Sequence, residues 1–317
     1  MDQQNFSNMR LFSGSSHPQL AQDIASHLGI EVAGMQLSTF SCGEKYARIE
    51  ESIRGLEAYI IQPIGDKPND DFMELFLIMD ALKRSSASRI HVVIPHFGYA
   101  RQDKKSAPRE PISSRLMADL LSAVGFDRLI TMDLHSDQIQ GFFSQPVDHL
   151  TAMPLFVEYF AKLEIPDLCV VAPDTGRAKF SKKLSDLLHA DLAIMHKTRP
   201  QHNVAEITNV VGNVDGNNLL IVDDMVDTAG SVTSGLKALR DLGCKDIYLA
   251  TSHGVFSGPA VERLSGAGFK KVVCTDSMPI PITKQFDDLE VLSTAPMLAE
   301  AIRRNYEKKS ISSLFPL

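Results

Sequence analysis

The chain has 317 residues, 44% hydrophobic and 22% charged, the balance of a globular protein with room for two domains of ordinary size. Its net charge of −7 excludes a broad basic surface for nucleic acid, so a phosphate ligand has to be met by local groups of Lys and Arg. Four cysteines, Cys42, Cys169, Cys244 and Cys274, lie far apart with no C-x-x-C spacing, which argues against a zinc site or a disulfide framework.

The polar start MDQQNFSNMR has no secretory apolar stretch, and no apolar run reaches membrane-spanning length, so a cytoplasmic location without membrane contact is expected. Arg10–Phe12 reads as a first strand. The next element opens at Ser16-His17-Pro18, with Pro18 suited to a first helical position, and closes at Gly29. Ala58–Gln62 is strand-like, and Asp70–Arg84 is an amphipathic helix with acids early and Lys83-Arg84 late, as the helix dipole favours. Strand Ile90–Pro95, helix Leu116–Val124 and strand Leu129–Met132 complete a first series.

A second series starts near Leu150 with helix Pro154–Lys162, strand Cys169–Ala172, helix Lys179–Leu188 and strand Leu192–Met195. Strand Leu219–Val222, a helix from Val232, strand Ile247–Thr251, a helix near Pro259–Leu264, strand Lys271–Cys274 and a last helix Ala295–Lys308 follow. This alternation predicts an α/β fold with mainly parallel sheets flanked by helices, and the repeated order of elements suggests an internal duplication. The expected domains are 1–149 and 150–317, with the final helix packing back on the first.

The stretch LLIVDDMVDTAGS, Leu219 to Ser231, joins a buried strand to a helix-compatible segment. Small residues and hydroxyls at such a junction let backbone N–H groups hold a phosphate. The acids Asp223 and Asp224 make sense when a sugar accompanies that phosphate, because carboxylates accept hydrogen bonds from vicinal hydroxyls or hold a divalent cation. IVDDMVDTAGS resembles the 5-phosphoribosyl 1-diphosphate (PRPP) binding motif shared by phosphoribosyltransferases and PRPP synthetases.

Further stretches narrow the resemblance. Phe40-Ser41-Cys42-Gly43-Glu44 reads by itself as an exposed loop with a buried Phe, and it is similar to the synthetases' adenine-binding F-[ST]-[DN]-x-E, with Cys42 in place of Asp or Asn. Tyr99-Ala100-Arg101-Gln102-Asp103-Lys104-Lys105 is either a solvated basic loop or a polyphosphate contact, and it resembles the synthetase motif Y-A-R-Q-D-[RK]-[RK], which phosphoribosyltransferases lack. Asp133-Leu134-His135, followed by Gln138-Ile139-Gln140-Gly141-Phe142-Phe143, matches a third family motif. Asp174 lies in Pro173-Asp174-Thr175-Gly176-Arg177, where the family pattern is P-D-x-G-G, and Lys197-Thr198-Arg199 matches its K-x-R. Over about Arg10 to Phe315 the chain resembles the ribose-phosphate diphosphokinases (PRPP synthetases), most closely class I.

That resemblance implies two phosphoribosyltransferase-like domains, the first for ATP and the second for ribose 5-phosphate, with an active site between them completed by a neighbouring subunit. It implies transfer of the β,γ-diphosphoryl group of Mg–ATP to the C1 hydroxyl of ribose 5-phosphate, giving PRPP and AMP for nucleotide biosynthesis. Lys197 and Arg199 would be catalytic, delivered by a mobile loop. Phe40, Cys42, Gly43, Glu44, Arg101 and Gln102 would bind ATP, and His135 and Asp174 would serve its Mg2+. Asp223 and Asp224 would meet the ribose hydroxyls and a second Mg2+. Asp227, Thr228, Ala229, Gly230 and Ser231 would take the 5-phosphate, with Arg199 nearby. Ser52, Arg54, Arg109, Ser310 and Ser312 match a regulatory phosphate or ADP site, with inorganic phosphate as activator, in a homo-oligomer that the family builds as a hexamer of dimers. Asp137, His149 and Thr151 differ from some members near those positions. Cys42 and Arg177 keep open a non-catalytic, synthetase-associated regulatory subunit as the alternative, with a PRPP-consuming phosphoribosyltransferase behind it.

Overall fold

A computed structural model describes residues 6–201 and 204–314, with the side chains of 197–201 and 204–209 outside the description. In chain order the elements are β1 (Met9–Ser13), α1 (Pro18–Leu28), β2 (Met35–Thr39), β3 (Lys45–Ile49), β4 (Glu57–Ile61), α2 (Pro68–Arg84), β5 (Arg89–Ile94), α3 (Ser113–Val124), β6 (Arg128–Met132) and β7 (Val147–Leu150). There follow α4 (Met153–Lys162), β8 (Leu168–Ala172), α5 (Ala178–Leu187), β9 (Asp191–Gln201), β10 (Val204–Val211), β11 (Asn218–Val226), α6 (Gly230–Thr233) and α7 (Leu236–Asp241). The chain continues through β12 (Ile247–Gly254), α8 (Ala260–Gly266), β13 (Lys271–Thr275), β14 (Leu289–Leu292) and α9 (Ala295–Tyr306). It forms two compact units, one of Met1–Thr151, Ser277–Pro279 and Ser293–Leu317, the other of Ala152–Asp276 and Ile280–Leu292.

The first unit holds a parallel sheet in the order β1-β4-β5-β6-β7, with the antiparallel hairpin β2–β3 beside it. The second holds β10-β9-β8-β11-β12-β13-β14, parallel throughout except where β10 turns back on β9. The two sheets share one plan. In the first, Val32 forms a parallel bridge to Leu11 of β1 just ahead of the hairpin, where in the second the start of β9 pairs with β8 before β9 runs on into its own hairpin with β10. Buried Val, Ile and Leu fill the central strands of both, as a sheet covered on two faces requires. The α/β reading, with two similar halves that each hold a mainly parallel sheet flanked by helices, therefore holds.

Local chemistry explains the helix bounds. His17 Nδ1 accepts from the Leu20 N–H at 3.4 Å at the start of α1, and Gly29 (φ +71) closes it in the left-handed region with its N–H on the last carbonyls. The face of α1 that carries Leu20, Ala21, Ile24, Ala25 and Leu28 is buried. Helix α9 packs on α1 within the first unit: Arg303 Nη2 donates to the His27 carbonyl at 3.0 Å, and Tyr59 Oη of β4 donates to Asn305 Oδ1 at 2.6 Å.

Three expectations change. The segment from Val232 is two short helices rather than one, with Ser234 and Gly235 between them keeping right-handed backbone angles. Strand β9 does not stop at Met195; its backbone runs on to Gln201 and pairs with β10, so the K-x-R segment is part of a hairpin. Residues 40–44 form the turn of the β2–β3 hairpin, whose short half-polar strands turn only Met35, Leu37, Ala47 and Ile49 toward the core.

Candidate active site

Arg101, Gln102, His135, Asp174 and the stretch Asp223 to Ser231 lie at the carboxyl ends of parallel strands, the position where open α/β sheets bind ligands, and each unit carries its own set. In the first unit the β2–β3 turn is closed by Phe40 N–H on the Glu44 carbonyl (2.8 Å) and Gly43 N–H on the Phe40 carbonyl (2.8 Å), with Gly43 at φ +94. Phe40 is 51% exposed, not buried, and its ring centroid lies 5.7 Å from that of Tyr46. Cys42 is an exposed free thiol and Glu44 is exposed. The turn thus offers an open aromatic face, backbone groups and a carboxylate, a set suited to a purine base.

The motif after β5 divides its labour. Ala100 is buried, Tyr99 packs on Phe72 (centroids 6.1 Å) and donates to Asn69 Oδ1, and the Gln102 N–H donates to the Tyr99 carbonyl at 2.9 Å. These contacts hold Arg101, Gln102, Lys104 and Lys105 outward on an exposed loop. Ser113 Oγ donates to Gln102 Oε1 at 2.5 Å, which orients that amide.

His135 follows β6 and is exposed, while Asp133 beside it is buried with φ +38. The turn after them is pinned by the core: Ile139 is fully buried, and Phe143 meets Phe97 edge-on with centroids 5.8 Å apart. A residue the motif did not reveal does further work. His149 of β7 accepts the Leu134 N–H on Nε2 at 2.8 Å, while its Nδ1 faces Gln140 (3.2 Å) and Asp137 (3.6 Å). An acceptor Nε2 places the proton of the neutral ring on Nδ1. Burial holds the His149 pKa below its ordinary value, partly offset by Asp133 and Asp137.

In the second unit β11 stays extended through both acids, with Asp223 opposite Thr251 of β12. The Asp223 and Asp224 side chains are 18% and 4% exposed. Burial, then the charge of Asp224, pushes the Asp223 carboxyl well above the usual range, and Arg177 opposes the shift. Asp174 caps the turn Thr175–Arg177, its Oδ1 accepting the Arg177 N–H at 3.2 Å.

The loop after β11 is braced from outside. Ser257 Oγ donates to Asp227 Oδ1 and Arg263 Nη1 of α8 donates to the Thr228 carbonyl at 2.9 Å, two supports that carry no sequence signature. Ala229 adopts the left-handed region (φ +59), which costs a non-glycine residue about 1 kcal/mol. Its methyl is buried, while Thr228 and Ser231 present exposed side chains. Since α6 is only Gly230–Thr233, a phosphate here would be met mainly by loop N–H groups and hydroxyls.

Lys197 and Arg199 lie in β9, and their side chains are outside the described residues. Ser52, Arg54 and Arg109 are exposed in the first unit. Ser310 and Ser312, also exposed there, bond to each other through Oγ at 3.0 Å. Among the described residues no group of three or more His, Cys, Asp or Glu side chains could hold a metal, and His135 and Asp174 belong to different units. Mg2+ characteristically takes one or two protein carboxylates and completes its shell from substrate phosphates and water. The exposed Asp174 carboxylate can offer one such oxygen. Among the described residues no helix is long and apolar enough to cross a membrane.

Residues 9–125 match the model of the N-terminal domain of ribose phosphate pyrophosphokinase, and residues 192–316 that of the phosphoribosyl synthetase-associated domain. A ribose-phosphate pyrophosphokinase of Caldanaerobacter subterraneus subsp. tengcongensis is 46% identical over 97% of this chain and 98% of its own length. That of Bacillus subtilis is 46% identical over 97% of each chain. The crystal structure of phosphoribosylpyrophosphate synthetase from Mycobacterium smegmatis superposes with a TM-score of 0.90 at 43% identity, covering 95% of this chain and 99% of that one.

Proposed function

The chain belongs to the ribose-phosphate pyrophosphokinase family and is an enzyme of PRPP synthesis. From that premise we propose the following division of roles. The first unit binds ATP: the Phe40 ring and the Cys42-Gly43-Glu44 turn receive the adenine, Arg101 and Gln102 contact the nucleotide, and Lys104 and Lys105 add positive charge along the same loop. The second unit binds ribose 5-phosphate, with Asp223 and Asp224 accepting from ribose hydroxyls and Asp227, Thr228, Ala229, Gly230 and Ser231 enclosing the 5-phosphate.

The C1 hydroxyl oxygen bonds to the β-phosphorus as the bond to the α-phosphate bridging oxygen breaks. AMP leaves with that oxygen, and the hydroxyl proton passes to water. Such a transfer asks little covalent chemistry of the protein and much neutralisation of non-bridging oxygens. Lys197 and Arg199 supply it from the β9–β10 hairpin. His135 in the first unit would serve the magnesium arriving with ATP, which would neutralise further phosphate charge, and Asp174 offers a carboxylate to a cation in the second.

The observation that supports this reading is the co-occurrence, in a chain 46% identical to pyrophosphokinases over 97% of its length, of the PRPP-motif loop after β11 and the YARQDKK loop after β5. A silent regulatory subunit would not need the exposed arrangement of Arg101, Gln102, Lys104 and Lys105. The reading includes a cytoplasmic homohexamer built from dimers, with phosphate activation and ADP inhibition through Ser52, Arg54, Arg109, Ser310 and Ser312.

The test is phosphorus NMR of the protein mixed with ATP, Mg2+ and ribose 5-phosphate. AMP and PRPP should form in equal amounts, and Lys197→Ala should slow both by roughly 10²–10³-fold. No AMP from folded protein that binds both substrates would refute it.

A further inference from the structure

Arg177 does not fit a mere turn residue. It follows the Asp174 cap and points its side chain at the end of β11, where Nε lies 3.8 Å from Asp223 Oδ1 and 4.0 Å from Asp224 Oδ1. The side chain is 17% exposed, and its guanidinium carbon sits 4.5 Å from the centroid of the Phe180 ring on α5. These separations make an ion contact, not a hydrogen bond. Nε and Nη2 are both buried with no acceptor among the described residues.

Each feature has a physical meaning. Two neighbouring carboxylates at a poorly solvated strand end repel one another, and a cation alongside opposes that repulsion and leaves their oxygens able to accept from a ligand. Stacking on Phe180 fixes where that cation stands. Buried guanidinium N–H groups without acceptors are costly, so the arrangement is incomplete until an oxygen reaches them. The orphaned donors and the acids together match a polyhydroxy ligand that offers both donors and acceptors.

We propose that Arg177 is a cation built into the ribose-side pair. It supplies from the protein the positive charge that Asp223 and Asp224 would otherwise take from a divalent ion, and its Nε and Nη2 donate to an oxygen of the sugar phosphate. Ribose 5-phosphate therefore binds this unit without a metal. The inference rests on the assignment of Asp223 and Asp224 to ribose 5-phosphate given above.

Calorimetric titration of the full chain with ribose 5-phosphate, in EDTA and then in millimolar Mg2+, tests it. The wild type should bind in both with affinities within about 3-fold, a difference below 1 kcal/mol. Arg177→Met keeps an apolar stem on Phe180 but removes charge and donors. It should bind roughly 10-fold or more weakly in EDTA and recover in Mg2+. Wild-type binding that requires Mg2+, or an Arg177→Met protein that binds normally in EDTA, would overturn the proposal. If Arg177→Met binds in neither buffer, Arg177→Lys decides: metal-free binding retained supports the built-in cation, and its loss overturns it. Asp224→Asn separates this failure from that of the site assignment. If it loses the sugar phosphate while Arg177→Met is neutral, only the role of Arg177 falls. If Asp224→Asn binds normally, the assignment falls and takes the inference with it.

Discussion

Ser257 and Asp227, 30 residues apart, are joined twice: Ser257 Oγ donates to the Asp227 carboxylate, and the Ser257 N–H donates to the Asp227 carbonyl at 3.0 Å. The segment after β12 thereby fixes the first acid of the loop that we propose for the 5-phosphate. Hydrogen bonds to charged groups contribute about 1.5–3 kcal/mol, so Ser257→Ala should raise KM for ribose 5-phosphate by roughly 10-fold while kcat changes by less than about 2-fold. Steady-state kinetics with saturating ATP measures both. An unchanged KM would mean that Asp227 is positioned without the latch.

His149 gives the nucleotide side a pH dependence whose sign follows from its contacts. Nε2 accepts the Leu134 N–H only while unprotonated, and burial lowers the pKa of the folded-state ring. The folded state therefore binds fewer protons here than the unfolded chain. The bond therefore persists below the ordinary His value near 6.5 and is lost only as pH falls through the lower folded value. ATP affinity should weaken between pH 7 and 5 in the wild type by more than ATP protonation explains. In His149→Gln, whose amide oxygen can accept but does not titrate, the extra slope should vanish. Parallel slopes in the two proteins would contradict the assignment.

Tyr59 and Asn305 connect β4 to α9 inside the first unit. Tyr59 is fully buried and stacks on His91 with centroids 4.3 Å apart, and burial raises its pKa, so the hydroxyl remains a donor at any working pH. Tyr59→Phe should destabilise this unit by about 1–2 kcal/mol, the cost of an unmade buried hydrogen bond. Faster hydrogen exchange confined to Ala295–Tyr306 would report it, and unchanged protection of α9 would count against the role.

Much of the architecture was legible because its signals are strong. Gly29, Pro18 and the buried stripe of α1 mark one helix completely, and the Val- and Ile-rich central strands carry their burial openly. Strands β2, β3, β7 and β14 are hidden because they are four or five residues long and mostly half-buried, too short for a period of two to stand out. The split after Thr233 has no counterpart in the periodicity. The candidate residues were readable only as motifs. What supports them, His149 under Leu134, Ser257 under Asp227 and Arg263 under Thr228, reaches across 15 to 35 residues of sequence and leaves no local trace. Arg177 stood out as a departure from a family pattern, but its approach to Asp223 and Asp224 needed the fold.

The central claim is that the two units divide the substrates, ATP to the first and ribose 5-phosphate to the second. Equilibrium binding of each ligand to Arg101→Ala and Asp224→Asn tests it most directly. The account predicts a crossed result: Arg101→Ala loses roughly 10-fold or more in ATP affinity and keeps ribose 5-phosphate, and Asp224→Asn does the reverse. If Asp224→Asn weakens ATP alone, or Arg101→Ala weakens ribose 5-phosphate alone, the division is wrong.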